Sequence, residues 1–422
     1  MRPRFAVRKM AILSAALALT VALAMITAPL AQAQTFNLIY GFTGGADGGG
    51  PSVFARDSAG NLYGTAYSGG VYVLNQGYLN DYGTVFKLDR NGKETTLHTF
   101  NGVEGGISPT ALVRDSAGNL YGTTYTGGIQ SCGYGMGCGV VFKIDTHGNF
   151  SLLHNFQGGS DGDLPISLIM DSAGNLYGVT NWGGNCARGY GCGTIFKIDT
   201  HGIYTLLYSF TDGNDGRWPQ GSLALDSAGN LYGTTEYGGS GGWGVVFKLS
   251  QGGQLTPLYS FNSRTGYGPY GVLLDSAGNL YGAVQGGGTY GAGFVYKLNP
   301  ANQQYGVLYN FTGGNDGGGP SAQLAEDAAG ILYGTASYGG TSTRYQGCYW
   351  LAGYYTTGCG VVFKLNPSSG QETVLHNFTG FADGGGPESG VILDPAGNIY
   401  STASYLGPLI SYANGTVFEI KP

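Results

Sequence analysis

The chain has 422 residues, 81 of them Gly and 32 Tyr, with only 10% charged residues and a formal net charge of −6. Glycine at this level without a strict third-residue period excludes collagen, and 42% hydrophobic residues exclude a disordered chain. The Lys and Arg residues are scattered singly, so the basic stripe that nucleic-acid affinity needs is missing, and an acidic surface is repelled by anionic membranes.

Residues 1–33 read as a secretory signal peptide. Arg2, Arg4, Arg8 and Lys9 form a basic start, an apolar run follows from Met10 to about Ile26, and Ala31-Gln32-Ala33 supplies the small-x-small cleavage pattern. Cleavage after Ala33 removes four basic and no acidic residues, which takes the net charge from −6 to −10. No second hydrophobic span follows, and no Cys near the cleavage site suggests a lipoprotein. The mature chain is therefore expected to be secreted, either extracellular or periplasmic, monomeric, without nucleic-acid partners and without membrane insertion.

From residue 57 to 422 the chain is a tandem repeat, the signature to seek before any other. DSAGNLYG begins at Asp57, Asp115, Asp171, Asp226 and Asp275, with variants at Asp327 and Asp394, at spacings of 49 to 67 residues. Each copy continues through a loop to a segment such as GVVFKI at 139–144, a turn, a segment such as SLLHNF ending at Phe156, and a Gly-rich loop ending in Pro. The unit offers four short strands: one before the Asp, one after it, then the VVFKI-like and LLHNF-like segments. In the DSAGN link the Asp side chain caps a tight turn, and Gly and Asn tolerate positive φ. No helical period of apolar residues appears in the mature chain. Seven four-stranded units of this length predict an all-β, seven-bladed β-propeller rather than a β-solenoid, whose rungs are shorter.

The ends predict closure of the ring. The last unit supplies three strands, ending in GTVFEIKP, while residues 34–56 open with FNLIYGFTGG, which matches a fourth strand (Tyr40 and Phe42 align with His154 and Phe156). The N-terminal strand is expected to complete the last blade and leave no open edge.

The run LYGTTYTGG, followed by a loop and GCGVVFKI, resembles the bacterial GloVer tandem repeat of choice-of-anchor GloVer-containing proteins. The resemblance covers essentially the whole mature chain. It implies export by a bacterium and a surface or extracellular setting, and it carries no catalytic residues with it.

The six cysteines fall as local pairs, Cys132 with Cys138, Cys186 with Cys192 and Cys348 with Cys359, each inside one loop between the second and third strands. Disulfides are expected in an exported protein, and metal ligation lacks His or acidic partners in those loops. Each bridge is expected to contribute about 2 kcal/mol by the loop-entropy argument.

Blade topology puts the long two–three and four–one loops on one face. All four Trp fall there, with Trp182, Trp243 and Trp350 assigned to two–three loops and Trp218 to a four–one loop. Tyr134, Tyr190, Tyr237, Tyr345, Tyr349, Tyr354 and Tyr355 join them. Such rings suit stacking on sugars, or packing of the loops against one another. The four–one loops also carry an Asp four residues before the Pro in five units, at Asp47, Asp161, Asp215, Asp316 and Asp383, with Gly105 and Thr265 in the other two. These read either as Asx turns or as a carboxylate ring for Ca²⁺ or a polyhydroxylated ligand, although one Asp per loop is few oxygens for a hard cation.

Catalytic patterns are missing. His98, His154 and His376 occupy positions that hold Tyr in other units, no Ser-His-Asp order, HExxH or phosphate loop occurs, and Lys87, Lys143, Lys197, Lys248, Lys297 and Lys364 recur in the third strand with Glu419 in the seventh. Arg188, Arg217 and Glu236 break the repeat. The chain therefore reads as a secreted, non-catalytic binding protein for extracellular polysaccharide or another ligand, without a resident cofactor. A polysaccharide lyase or hydrolase on the same face, or a purely structural surface protein, is the alternative.

Overall fold

The structure, a computed structural model, describes residues 34–421 apart from 71–72, 76–77, 81, 103–104, 130, 133–134, 187–188, 343–347, 349–357 and 405–413. The signal peptide predicted over 1–33 lies outside the described residues. Seven four-stranded antiparallel sheets form the blades of a propeller ring. Blade 3 is typical, running from the innermost strand Asp163–Met170 through Leu176–Trp182 and Thr194–Ile198 to the outermost strand Tyr204–Ser209. Blade 7 has the order predicted from the ends, with Ile392–Leu393 innermost, then Ile399–Ala403, Thr416–Lys421 and the N-terminal strand Thr35–Gly41 outermost. Among the described residues the additions to this plan are a hairpin of Val73–Asn75 with Tyr78–Asn80 and a 3-10 turn at Gly159–Asp161.

Each blade turns on its DSAGN link. The Asp57 carboxylate accepts hydrogen bonds from the amides of Ala59 and Asn61, from Asn61 Nδ2 and from the Tyr63 hydroxyl at 2.7–3.0 Å. These bonds hold Asp57 below its usual pKa against the opposing effect of burial. Tyr63 carries the ammonium of Lys87 5.9 Å from its ring centroid, and the same Lys–Tyr contact recurs through blade 5. In blade 7, Glu419 replaces the lysine and accepts the Tyr400 hydroxyl at 2.8 Å instead.

The core lies between blades rather than within them. Seven buried clusters each join two neighbours, and each is keyed by the Phe that follows the outermost strand, such as Phe210 set edge-on to Phe247 of the next blade with centroids 5.3 Å apart. The seam between blades 7 and 1 is built likewise, with Phe42 against Phe86 at 4.9 Å and the Phe42 amide donating to Gly415 at 2.8 Å. Outside this core the rings of successive outermost strands stack, as His154 does on Tyr204 at 3.9 Å.

The glycine that opens each third strand touches the proline of the next blade. A Cβ on Gly193 would lie 2.4 Å from Pro219 Cδ, and one on Gly415 would lie 2.4 Å from Pro51 Cδ. The proline sits in or just before the innermost strand, which is an edge strand and tolerates its missing N–H. In blades 1 to 5 the register shifts after it, directly in blades 2 and 3 and one or two residues further on in blades 1, 4 and 5. In blades 6 and 7 the innermost strand shortens to Ala325–Glu326 and Ile392–Leu393.

Candidate functional site

The innermost strands begin, and the second strands end, on the face that carries the long loops. The strand registers show this directly, since Asp163 pairs with Trp182, Arg217 with Tyr237 and Tyr267 with Gly286. Two placements differ from the sequence reading. Trp182 is the last residue of the strand Leu176–Trp182, not a loop residue, and Trp218 is the second residue of Arg217–Leu225, because the innermost strand starts before its proline.

The described Trp residues lie along an aromatic arc over blades 3 to 5. Trp182 and Tyr190 have centroids 4.7 Å apart. Trp218 Nε1 donates to the Gly191 carbonyl of the Cys186–Cys192 loop at 3.3 Å. Trp218 meets Tyr237 edge-on at 5.4 Å, Tyr237 lies 6.3 Å from Trp243, and Trp243 lies 5.8 Å from Tyr267. Trp243 and Tyr267 keep 38% and 46% of their surface exposed. Arg217 packs its guanidinium 5.2 Å from Trp218 and 4.9 Å from Tyr237 and is ion-paired to Asp212, which leaves its charge committed to the wall. Trp350, Tyr134, Tyr345, Tyr349, Tyr354, Tyr355 and Arg188 lie outside the described residues.

All three predicted cysteine pairs are bonded, with Cα separations of 5.7 Å for Cys132–Cys138, 6.0 Å for Cys186–Cys192 and 5.1 Å for Cys348–Cys359. Cys138, Cys192 and Cys359 are buried, so each bridge ties a surface loop to the inter-blade core.

The recurring Asp residues do not line the channel. Asp47, Asp215 and Asp316 accept the hydroxyls of Tyr40, Tyr208 and Tyr309 at 2.9–3.1 Å, and Asp161 and Asp383 lie 3.1 Å from the Nε2 atoms of His154 and His376. Each also accepts the backbone amide four residues before it, so the carboxylates are engaged locally with the outermost strands. Thr265 plays the same part in its unit, accepting the Asn262 amide at 2.9 Å, and His98, which faces Gly105 instead of an Asp, is lowered in pKa by burial. Among the described residues no three His, Cys, Asp or Glu gather closely enough to hold a metal ion.

A feature that the sequence reading did not single out lies beside the arc. The residue following each inter-blade proline faces the channel, and these seven differ from blade to blade: Ser52, Thr110, Ile166, Gln220, Tyr270, Ser321 and Glu388. They line two adjoining cavities. One of about 240 Å³ lies in the channel, touched by all seven blades. The other, of about 320 Å³, is lined by Gln220, Glu236, Tyr270, Gln285, Ser321 and Glu388 of blades 4 to 7. Tyr270 and Glu388 belong to both. The second cavity opens where the innermost strands of blades 6 and 7 are short. Tyr237 of the arc adjoins Glu236 of the cavity in sequence, and Tyr267 is three residues from Tyr270.

The electrostatics of this region are acidic. Glu388 is surrounded by protein although its surface faces the channel, and burial raises its pKa. Burial, with the nearby Glu388 charge, raises Tyr270 as well. Gln220 Nε2 donates to Glu236 Oε2 at 2.9 Å. On the same face Asp163 is pushed up to about 6 by burial, and its Oδ1 is buried without a hydrogen-bond partner. Among the described residues no Lys, Arg or His lines either cavity. The variability of the position after the proline, beside the constancy of the proline, was the signal available in the sequence.

Comparison with known proteins agrees with this architecture. The chain is similar to a structure described as the extracellular domain of a one-component system, BT4673, from B. thetaiotaomicron, with 10% identity, a TM-score of 0.56, and coverage of 92% of this chain and 40% of that one. A second structure, the extracellular domain of BT4673 described as a hybrid two-component system, gives 13% identity, a TM-score of 0.56 and coverage of 92% and 42%. The chain thus spans about two fifths of the length of these structures, and the likeness is one of fold. The gluconolactonase XC5397 from Xanthomonas campestris matches at 12% identity and a TM-score of 0.47, over 92% of this chain and 89% of that one. No curated protein matches the chain. The model of the Gloeobacter/Verrucomicrobia repeat matches residues 26–189, 71–238 and 133–348, more than half of the sequence. The chain belongs to the Gloeobacter/Verrucomicrobia repeat family.

Proposed function

We propose that the protein is an extracellular binding protein for polysaccharide, which receives a glycan along the arc of Trp218, Tyr237, Trp243 and Tyr267 and one sugar unit in the adjoining cavity. One observation carries the reading: partly exposed aromatic rings and a polar cavity share the strands Arg217–Leu225, Leu231–Tyr237 and Tyr267–Leu274. Sugar rings present apolar C–H faces and polar edges. Rigid aromatic platforms beside convergent amides, carboxylates and hydroxyls match that chemistry. Three disulfides in or next to these loops support the extracellular setting and reduce the mobility of the rim.

Titration with a glycan panel, followed by Trp emission and by calorimetry, tests the reading. A saturable response is expected from at least one polysaccharide. Trp243→Ala and Tyr267→Ala should each weaken it about tenfold, the value of roughly one lost stacking contact, with unchanged thermal stability. Silence from every glycan would remove the proposal. A hydrolase or lyase reading is favoured by one observation, the two carboxylates of Glu236 and Glu388 on one cavity. Product analysis after long incubation decides it, since a glycan recovered at its original length leaves binding alone.

A further inference from the structure

The polar cavity has a charge character that narrows the ligand class, and the strand carrying Glu388 is built unlike its counterparts. In six blades the second strand has a glycine in the LYG position, at Gly64, Gly122, Gly178, Gly233, Gly282 and Gly334. Ser401 stands there in blade 7. Its hydroxyl donates to the Gly390 carbonyl at 2.9 Å. Ser389, next to Glu388, is held at the same time by Thr402 Oγ1 at 2.7 Å and by Ser52 Oγ at 3.1 Å, while its carbonyl accepts Thr335 Oγ1 at 3.1 Å. This irregular segment is therefore fixed by hydrogen bonds, and it presents Glu388 to both cavities. The carboxylate shares its cavity with Tyr270, Gln220, Gln285, Ser321 and Glu236, with no cation among the described residues of the wall. The Arg217 charge close by is already neutralised by Asp212. Glu388 is accessible from the channel and has no counter-charge on the described wall, so a ligand ammonium can pair with it directly. Uronate or sulfated units would be repelled by both glutamates.

We propose that the cavity takes an amino-sugar unit with a protonated amine, the ammonium donating to Glu388 and the sugar hydroxyls to Gln220, Gln285 and Ser321. The proposal rests on the polysaccharide reading and names the sugar class of the same site. Glu236, already bonded to Gln220, adds to the negative potential without being the direct partner.

Calorimetry with three oligosaccharides of one length and one β-1,4 linkage tests it: deacetylated glucosamine oligomer, its N-acetylated form, and the glucose oligomer. The glucosamine oligomer is expected to bind about tenfold tighter than the glucose oligomer, the size of one charge-assisted hydrogen bond. Glu388→Gln should abolish that advantage, so that the glucosamine and glucose oligomers bind this variant equally. If the advantage survives in Glu388→Gln, attraction to the acidic surface as a whole explains it and the cavity assignment is wrong. If the glucose and glucosamine oligomers bind equally, the amino-sugar assignment falls and the polysaccharide reading stands. If none of the three binds, the amino-sugar assignment falls, and the wider glycan panel decides the polysaccharide reading. Should Glu388→Gln fold poorly, Glu388→Ser gives the same decision, because it also removes this charge and leaves Glu236 and the acidic surface in place. An advantage that survives in Glu388→Ser would overturn the proposal.

Discussion

Trp218 adopts φ 55°, in the left-handed region where a Cβ crowds the backbone at a cost of about 1 kcal/mol or more. Immediately before the inter-blade proline, four blades meet the same backbone requirement with Gly50, Gly268, Gly319 and Gly386, and two with Ser108 and Leu164. Trp218 shares this strain with Ser108 and Leu164, and strain of this kind persists where the surroundings hold it and a function uses it. Comparing two substitutions separates backbone from ring. Trp218→Gly relieves the strain and Trp218→Ala keeps it, so the Gly variant should be the more stable by about 1 kcal/mol. Both should lose glycan affinity about tenfold. Equal melting temperatures for the two would refute the strain argument. A second residue ties pH to stability. Glu372 occupies the outermost-strand position that is Phe150, Tyr204 or Tyr305 in other blades, where the ring stacks on the neighbouring blade. Burial, with Asp316 nearby, raises it from 4.5 to about 7. The folded state thus holds a proton that the unfolded state has lost, so its stabilising contribution is complete below pH 4.5 and disappears as pH rises through about 7. Thermal melts of wild type and Glu372→Gln should show the variant gaining on the wild type across that window. Parallel profiles would count against the assignment.

At the scale of strands and turns, legibility in the sequence followed the range of the interactions. The Asp57–Asn61 turn closes through bonds spanning two to six residues, so its motif announced the hairpin in every unit. The disulfides, six or eleven residues apart, were equally local. The role of the recurring Asp residues was only partly legible. An Asx-type turn was readable from spacing, but the bond from each Asp to Tyr or His seven residues earlier depends on how the chain crosses between blades. The channel set stayed hidden because the alternation rule for strands fails here, through a register shift at or just beyond the proline in blades 1 to 5 and a shortened strand in blades 6 and 7. Glu236 was visible as a break in the repeat, whereas Glu388 was not, since it lies in a segment whose regular strand is only Ile392–Leu393. The Trp positions were readable as a bias to one face. Their arrangement as an arc depends on the angle between blades 3, 4 and 5, which no single repeat encodes.

For the molecule as a whole, the decisive contact is the pairing of Thr35–Gly41 with Thr416–Lys421. It joins segments nearly the full length of the chain apart, and it brings three further interactions that the other seams also have in some form. Phe36 stacks on His376 at 4.0 Å and on Phe418 at 5.4 Å, Asn37 Nδ2 donates to Glu419 at 3.3 Å, and Phe42 enters the seam between blades 7 and 1. Each blade is stable only through its neighbours, because the buried clusters lie between sheets. A ring missing this strand would expose the edge of Thr416–Lys421 together with the Phe418 and Phe378 rings, and such an edge recruits another chain. A chain that starts at residue 42 should melt about 10 °C below one that starts at residue 34, the effect of several kcal/mol in a domain of this size, and produce concentration-dependent oligomers in light scattering. A synthetic peptide of residues 34–41 added in trans should restore the monomer and part of the melting temperature, because the pairing is by backbone hydrogen bonds that need no covalent link. A truncated protein that stayed monomeric with an unchanged melting temperature would show that the ring is held by the inter-blade cores alone.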